Sequence, residues 1–127
     1  MNKYAQAALL AVDLIKCKKA FNPVQAWQKA THAIFDSPSS QVKGCPKNTF
    51  LALCETGKVK GIEPGKYTNS RKNKSYALKA INILQTNPSL SEDPKKLWDI
   101  VQAGKPIKYN SQMDVVVALW NNGHILS

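Results

Sequence analysis

Arginine is almost missing from these 127 residues: Arg71 stands alone beside seventeen lysines. Arginine clamps phosphates and base edges bidentately, whereas lysine is a strongly hydrated point charge. The shortage argues against sequence-specific base reading and leaves diffuse attraction to polyanions. Acids are scarce too, eight in all and scattered, so paired carboxylates for acid–base catalysis are poorly supplied. Cysteine is limited to Cys17, Cys45 and Cys54, an odd number without CxxC spacing, which speaks against a disulfide framework. Three free thiols predict a reducing, cytoplasmic location. The apolar run from Ala7 to Val12 is bounded by Gln6 and Asp13, too short for a signal peptide or a membrane span. No membrane partner is expected.

Two further absences bear on cofactors. A zinc site would need Cys17, Cys45, Cys54 and His32 together, and no pair of them has chelating spacing. Gly57, Gly61 and Gly65 recur every four residues but lack the flanking strand and the Gly-Lys-Ser/Thr ending of a phosphate loop. Neither a metal nor a cofactor is expected.

What is present is one domain's worth of chain, 1–127, with 43% hydrophobic residues and a net charge of +10. At 14.0 kDa a compact monomer should expose roughly 6,700 Å² and bury about two-thirds of its unfolded surface. That suffices for a core without staples.

The punctuation predicts an all-α bundle of about six helices. Asn2 caps a first helix to about Lys19, with Tyr4, Ala8, Ala11, Leu14 and Ile15 on one stripe. Asn22-Pro23 starts a second, to about Phe35, burying Val24, Trp27, Ala30 and Ile34. Residues 36–40 read as a loop. Cys45-Pro46 opens a third helix with Phe50, Leu53 and Cys54 inward, and Gly57 closes it in a Schellman turn with Val59 behind. Residues 58–73 lose helical period and form an irregular basic segment, in which 59–62 and 66–68 could pair as a short hairpin. Helix returns from Lys74 to Gln85, and Asn87-Pro88 stops it. Asp93-Pro94 starts a fifth, with Leu97, Trp98, Ile100 and Val101 inward. Asn110 or Ser111 caps the last, with Ser111 and Asp114 at capping-box spacing and Met113, Val116, Val117 and Trp120 inward. Gly123-His124-Ile125 repeats the ending Gly57-Lys58-Val59, which reads as shared capping chemistry.

The run Gly44-Cys45-Pro46 through Glu55-Thr56-Gly57 to Gly61-Ile62, with Gly65-Lys66-Tyr67-Thr68 and Asn73-Lys74-Ser75-Tyr76-Ala77, resembles a small family of uncharacterised bacterial proteins. The likeness covers most of the chain. It implies a bacterial origin and a compact domain, and it carries over no functional residue.

Charge is the strongest functional signal. Residues 39–79 carry seven of the ten net positive charges. Lys43, Lys47, Lys58, Lys60, Lys66, Arg71, Lys72 and Lys74 are the candidate polyanion-binding residues. Tyr67 and Tyr76 could stack on bases, while Ser70 and Asn73 could bond phosphates. The leading functional reading is a non-enzymatic module that binds nucleic acid or an acidic protein weakly and without sequence preference, and it stands beside the plainer reading of lysines that serve solubility. A winged-helix reading must explain about ten residues between helices where the motif needs three or four, and its recognition helix would carry no arginine. The alternative is a cysteine-dependent enzyme or redox sensor. Cys45 stands at a helix N-terminus beside Lys43 and Lys47, where a thiolate is favoured, and His32 could serve as its base. Selective alkylation of Cys45 would mark that case.

Overall fold

A computed structural model describes residues 2–126. It holds six helices of nine residues or more: α1 (Lys3–Lys16), α2 (Pro23–Ile34), α4 (Gly44–Glu55), α5 (Arg71–Thr86), α6 (Pro94–Gln102) and α7 (Gln112–Asn121). A single turn, α3 (Pro38–Gln41), and a 3₁₀ segment over Pro88–Glu92 complete it. The all-α reading holds, and the accessible surface of 6803 Å² matches that of a compact monomer this size.

The helices start where side chains take the orphan amides of the first turn. Asn2 Oδ1 accepts from the Tyr4 and Ala5 amides at 2.8 and 3.2 Å, and Asn22 Oδ1 from Gln25 at 2.8 Å. Ser70 Oγ accepts from Asn73 at 3.3 Å, and Asp93 Oδ1 from Lys96 at 3.1 Å. Ser111 departs from the expected capping box. It sits in left-handed conformation with no side-chain cap bond, and the Tyr109 hydroxyl takes the Asp114 amide at 3.0 Å while donating to Asp114 Oδ2. Burial and the Asp114 carboxylate push the Tyr109 hydroxyl pKa upward, so it stays a donor.

Two helices form the centre. Thr49 to Cys54 of α4 and Val115 to Leu119 of α7 are consecutive buried residues. A helix apolar all round must be enclosed, and α7 touches α1, α4, α5 and α6. That enclosure makes a helix of Val115-Val116-Val117, although β-branched residues favour strands. Buried hydroxyls turn back on their own helices: Thr49 Oγ1 donates to Cys45 O at 2.8 Å and Thr31 Oγ1 to Trp27 O at 3.1 Å.

α4 and α7 end identically, and the structure gives that echo a purpose. Lys58 N donates to Leu53 O and Gly57 N to Cys54 O; His124 N donates to Leu119 O and Gly123 N to Trp120 O. Both glycines take φ near +75°, where a side chain would be strained. The exits then pair antiparallel, Val59 against Ile125, through Lys60 N to His124 O and Leu126 N to Lys58 O, each 2.8 Å. Val59 and Ile125 are buried beneath this bridge.

The bridge replaces the expected hairpin. Val59 finds a partner sixty-six residues away rather than at 66–68, because Glu55 takes the Tyr67 and Thr68 amides that a hairpin would need. Four boundaries also move. α1 stops at Lys16, since Lys18 turns left-handed at φ 60° and Lys19 N returns to Leu14 O. Residues 38–41 form a turn of helix because Pro38 pre-sets its φ. α4 starts at Gly44, making Cys45 its second residue instead of its cap. α5 begins at Arg71, three residues early, so Arg71 and Lys72 are helical and not irregular.

Of the expected core, Trp27, Phe50, Ile81, Trp98 and Val117 are buried, while Trp120, in the last turn of α7, is half-buried. Val24 and Ile100, expected inward, are exposed: α2 and α6 each turn a narrower stripe to the core than their apolar content suggests.

Candidate functional site

Glu55 organises the basic segment. It ends α4, where the helix dipole disfavours an anion, and Arg71, Lys72 and Lys74 open α5, where it disfavours cations. Each set is wrong for its own helix and right for the other. Glu55 Oε2 meets Lys74 Nζ at 2.8 Å, the only ion pair among the described residues. Its Oε1 accepts the Tyr67 and Thr68 amides at 2.7 and 3.2 Å, with 9% of the side chain exposed. The Lys74 ammonium first, then those two amides, hold the carboxyl at about 2, well below the usual range.

This mooring shapes the loop between α4 and α5. Gly65 N donates to Glu55 O, and the Tyr67 ring folds over Gly65 to donate its hydroxyl to Glu63 O at 2.7 Å. A Cβ on Gly65 would lie 2.8 Å from that hydroxyl oxygen, so any side chain there would push the Tyr67 ring aside. Thr68 Oγ1 donates to Asn48 Oδ1 at 2.9 Å and accepts Ser70 N at 3.1 Å, tying the loop to α4 and to the start of α5.

Two adjoining clefts result. One, of about 350 Å³, is lined by Glu55, Lys66, Arg71 and Lys74. The other, of about 500 Å³, is lined by Lys47, Asn48, Leu51 and Tyr67. Lys66, Thr68, Asn69 and Ser70 wall both, so the groove is two clefts that flank one stretch of the loop. Lys47, Lys66 and Arg71 supply its positive charge, with Lys74 already answered by Glu55.

Four of the eight candidate cations therefore line the groove and four do not. Lys43 is an exposed residue ahead of α4, and Lys72 is exposed and lines neither cleft. Lys58 and Lys60 belong to the bridge, Lys60 N bonding His124 O. Of the polar helpers, Tyr76 packs edge-on against Trp98 at 5.1 Å, and Asn73 is buried with its amide on Ser70 Oγ. Asn48, Thr68 and Asn69 were not singled out from the sequence, and Glu55 counted only as an offsetting charge. The signal for Glu55 was its place: an acid in the last turn of a helix, two residues before a Schellman glycine, opposes the dipole and needs an outside partner.

The thiol constellation does not assemble into one cleft. Cys45 Sγ lies 3.9 Å from Asn110 Nδ2, while His32 Nδ1 donates to Gln28 O at 2.7 Å and lines a separate cleft with Trp27 and Lys47. Cys54 is buried in the core, which pushes its thiol pKa far up; Cys17 is exposed and Cys45 half-buried. Iodoacetamide on the native protein should label Cys17 and Cys45 and spare Cys54 until unfolding, as peptide mass spectrometry will read. Early labelling of Cys54 would contradict the buried core, and Cys45 outpacing exposed Cys17 is the result a reactive thiol requires.

Among the described residues no three of His, Cys, Asp and Glu converge to hold a metal ion, and no helix is long and apolar enough to cross a membrane. No curated protein and no solved structure matches the chain. A family model matches residues 1–126, nearly the full length, and on that match the chain belongs to a family of unknown function, DUF6979.

Proposed function

We propose that this protein is a non-enzymatic binding module whose groove takes a phosphate-bearing polyanion, nucleic acid being the first to test. One observation carries the reading. The α5 N-terminus gathers three cations against its own dipole, and Glu55 answers only Lys74. Arg71, Lys66 and Lys47 add their charge along one groove, a surplus that an extended anion would relieve. The loop is moored rather than loose, which lowers the ordering cost of binding.

The test is salt dependence of binding to a labelled oligonucleotide. Four to six phosphate contacts give a log–log slope of about −3.6 to −5.4 on duplex, at roughly 0.9 per contact. Replacing Lys47, Lys66 and Arg71 with glutamine should flatten it by about 2.7 with little change in melting temperature. The same change at Lys58, Lys60 and Lys79, away from the groove, should cost less than about 1 unit. Equal flattening by both triples, or no binding at low salt, defeats the reading. Heparin that competes charge for charge removes nucleic acid as the preferred partner and leaves a generic polyanion groove.

A further inference from the structure

Of the ten aromatic residues, all within the described stretch, Phe21 alone is exposed, at 87% of its surface. Scattered apolar residues on a surface are ordinary. Phe21 differs in being a whole ring left in water and in being held there. It stands in the turn between α1 and α2, just after buried Ala20 and two residues before buried Pro23. Its amide donates to Gln25 Oε1 at 2.8 Å, while the Gln25 amide donates to Asn22 Oδ1 at 2.8 Å. Lys19 N and Ala20 N both return to Leu14 O, at 2.9 and 3.1 Å. The turn is tied on both sides, so folding the ring back onto the core would break these bonds.

The ring stands beside cations. Residues 14–35 carry Lys16, Lys18, Lys19 and Lys29 and no acid. Lys16 is engaged with His124, its Nζ 3.4 Å from Nδ1. Lys18 and Lys19 are exposed just ahead of the ring, and Lys29 reaches back from α2 to set its ammonium 2.8 Å from Lys19 O. The dipole of α1 explains cations at its C-terminal end. It gives no reason for an uncovered ring next to them. A stacking platform for bases works when the protein sets the plane of the ring, and a ring this exposed has almost nothing beside it to do so. A wedge needs only to project.

We propose that the turn between α1 and α2 is a contact for an anionic lipid surface, Phe21 entering the boundary between headgroups and acyl chains while Lys18, Lys19 and Lys29 meet the headgroup phosphates. That boundary takes up apolar rings, and the negative potential of such a surface attracts every lysine near it. Lysine serves as well as arginine here, because the attraction is to a field and not to one bidentate group. No helix among the described residues is long and apolar enough to cross a membrane, and a surface contact requires none. Hydropathy registers spans and leaders, so one ring in a turn leaves no mark in it; the expectation of no membrane partner rests on spans and leaders alone. Lys18, Lys19, Phe21 and Lys29 line neither cleft of the polyanion groove, so the contact is separate from it. One ring and three lysines make a weak, reversible contact, at or below the partition constant of roughly 10⁴ M⁻¹ typical of a single myristoyl chain.

The probe is vesicles of equimolar phosphatidylglycerol and phosphatidylcholine, pelleted with the full chain at physiological salt. Binding should half-saturate at roughly millimolar lipid and be absent with pure phosphatidylcholine. Phe21→Ser should weaken it about tenfold at unchanged melting temperature, since the ring is exposed in the free protein. Lys18→Gln, Lys19→Gln and Lys29→Gln together should weaken it roughly a hundredfold, at about fivefold per lysine. Ile100→Ser, at an exposed apolar side chain on α6, should stay within about twofold. Phe21→Trp should gain an emission that shifts to the blue on the mixed vesicles and is quenched by brominated acyl chains. The parent should not, because Trp27 and Trp98 are buried and Trp120 is half-buried. A Lys47→Gln/Lys66→Gln/Arg71→Gln variant, which disables the groove, should pellet within about threefold of the parent. Failure of polyanion binding therefore leaves this result standing, and the reverse holds too. No binding to the mixed vesicles, equal binding by Phe21→Ser, or an unquenched Phe21→Trp emission overturns the proposal. If Phe21→Ser weakens binding of a single-stranded oligonucleotide as much as it weakens vesicle binding, the ring stacks on bases and the lipid assignment falls.

Discussion

Phe50→Ala is expected to cost about 3–5 kcal/mol of stability, the largest effect of any single substitution proposed here. Phe50 is fully buried in α4, and its ring lies against Trp27 at 5.3 Å with 28° between planes. Removing it takes away the transfer energy of the ring, opens a cavity, and strips Trp27 of its stacking partner. The cavity would form in α4, which α2, α5 and α7 all touch, so the loss is felt across the bundle. Domains of this size have about 5–15 kcal/mol in total, and the variant could be largely unfolded at 37 °C. Urea titration followed by tryptophan fluorescence measures it. Trp120→Ala is the control: its side chain is half-buried in the last turn of α7, so its loss should be the smaller of the two. A cost below about 1 kcal/mol for Phe50→Ala, or the reverse order, would contradict the packing described.

Glu55→Ala is expected to cost about 2–3 kcal/mol and to release the loop between α4 and α5. The carboxylate satisfies two amides and one ammonium, and all three lose their partner together. The cost carries a pH signature. In the fold the carboxyl sits at about 2, against an ordinary 4.5, so between those values the unfolded chain binds more protons. Its contribution is therefore whole above about pH 4.5 and fades as pH falls from there toward 2. The melting-temperature gap between wild type and Glu55→Gln should be widest near pH 7 and narrow by pH 3. Hydrogen exchange at Tyr67 and Thr68 should quicken in the variant at neutral pH. A gap independent of pH would mean that Glu55 acts by shape, not by charge.

Local chemistry was legible residue by residue. Asn2, Asn22 and Asp93 mark helix starts because each carries a side chain that reaches orphan amides two or three residues on, and Pro23 and Pro94 cannot sit deeper in a helix. Gly57 and Gly123 mark ends because only glycine takes the left-handed turn freely. The misplaced start of α5 has an equally physical cause. Arg71, Lys72 and Asn73 bring no apolar period, so a local reading places the helix three residues late, and its basic first turn opposes the dipole. What rescues it, Glu55, belongs to another helix.

Composition and punctuation alone thus determined an all-α chain, most of its helix limits and most of its core, since each rests on interactions within one or two turns. The tertiary structure alone decided the rest. It pairs Val59 with Ile125 across sixty-six residues, sets Glu55 against Lys74, and sorts eight candidate cations into four that line a groove and four that do not. It also leaves the Trp27 indole without an acceptor. Charge is additive along a chain and can be counted from it. Convergence is a property of distance, and only packing brings distant residues within reach.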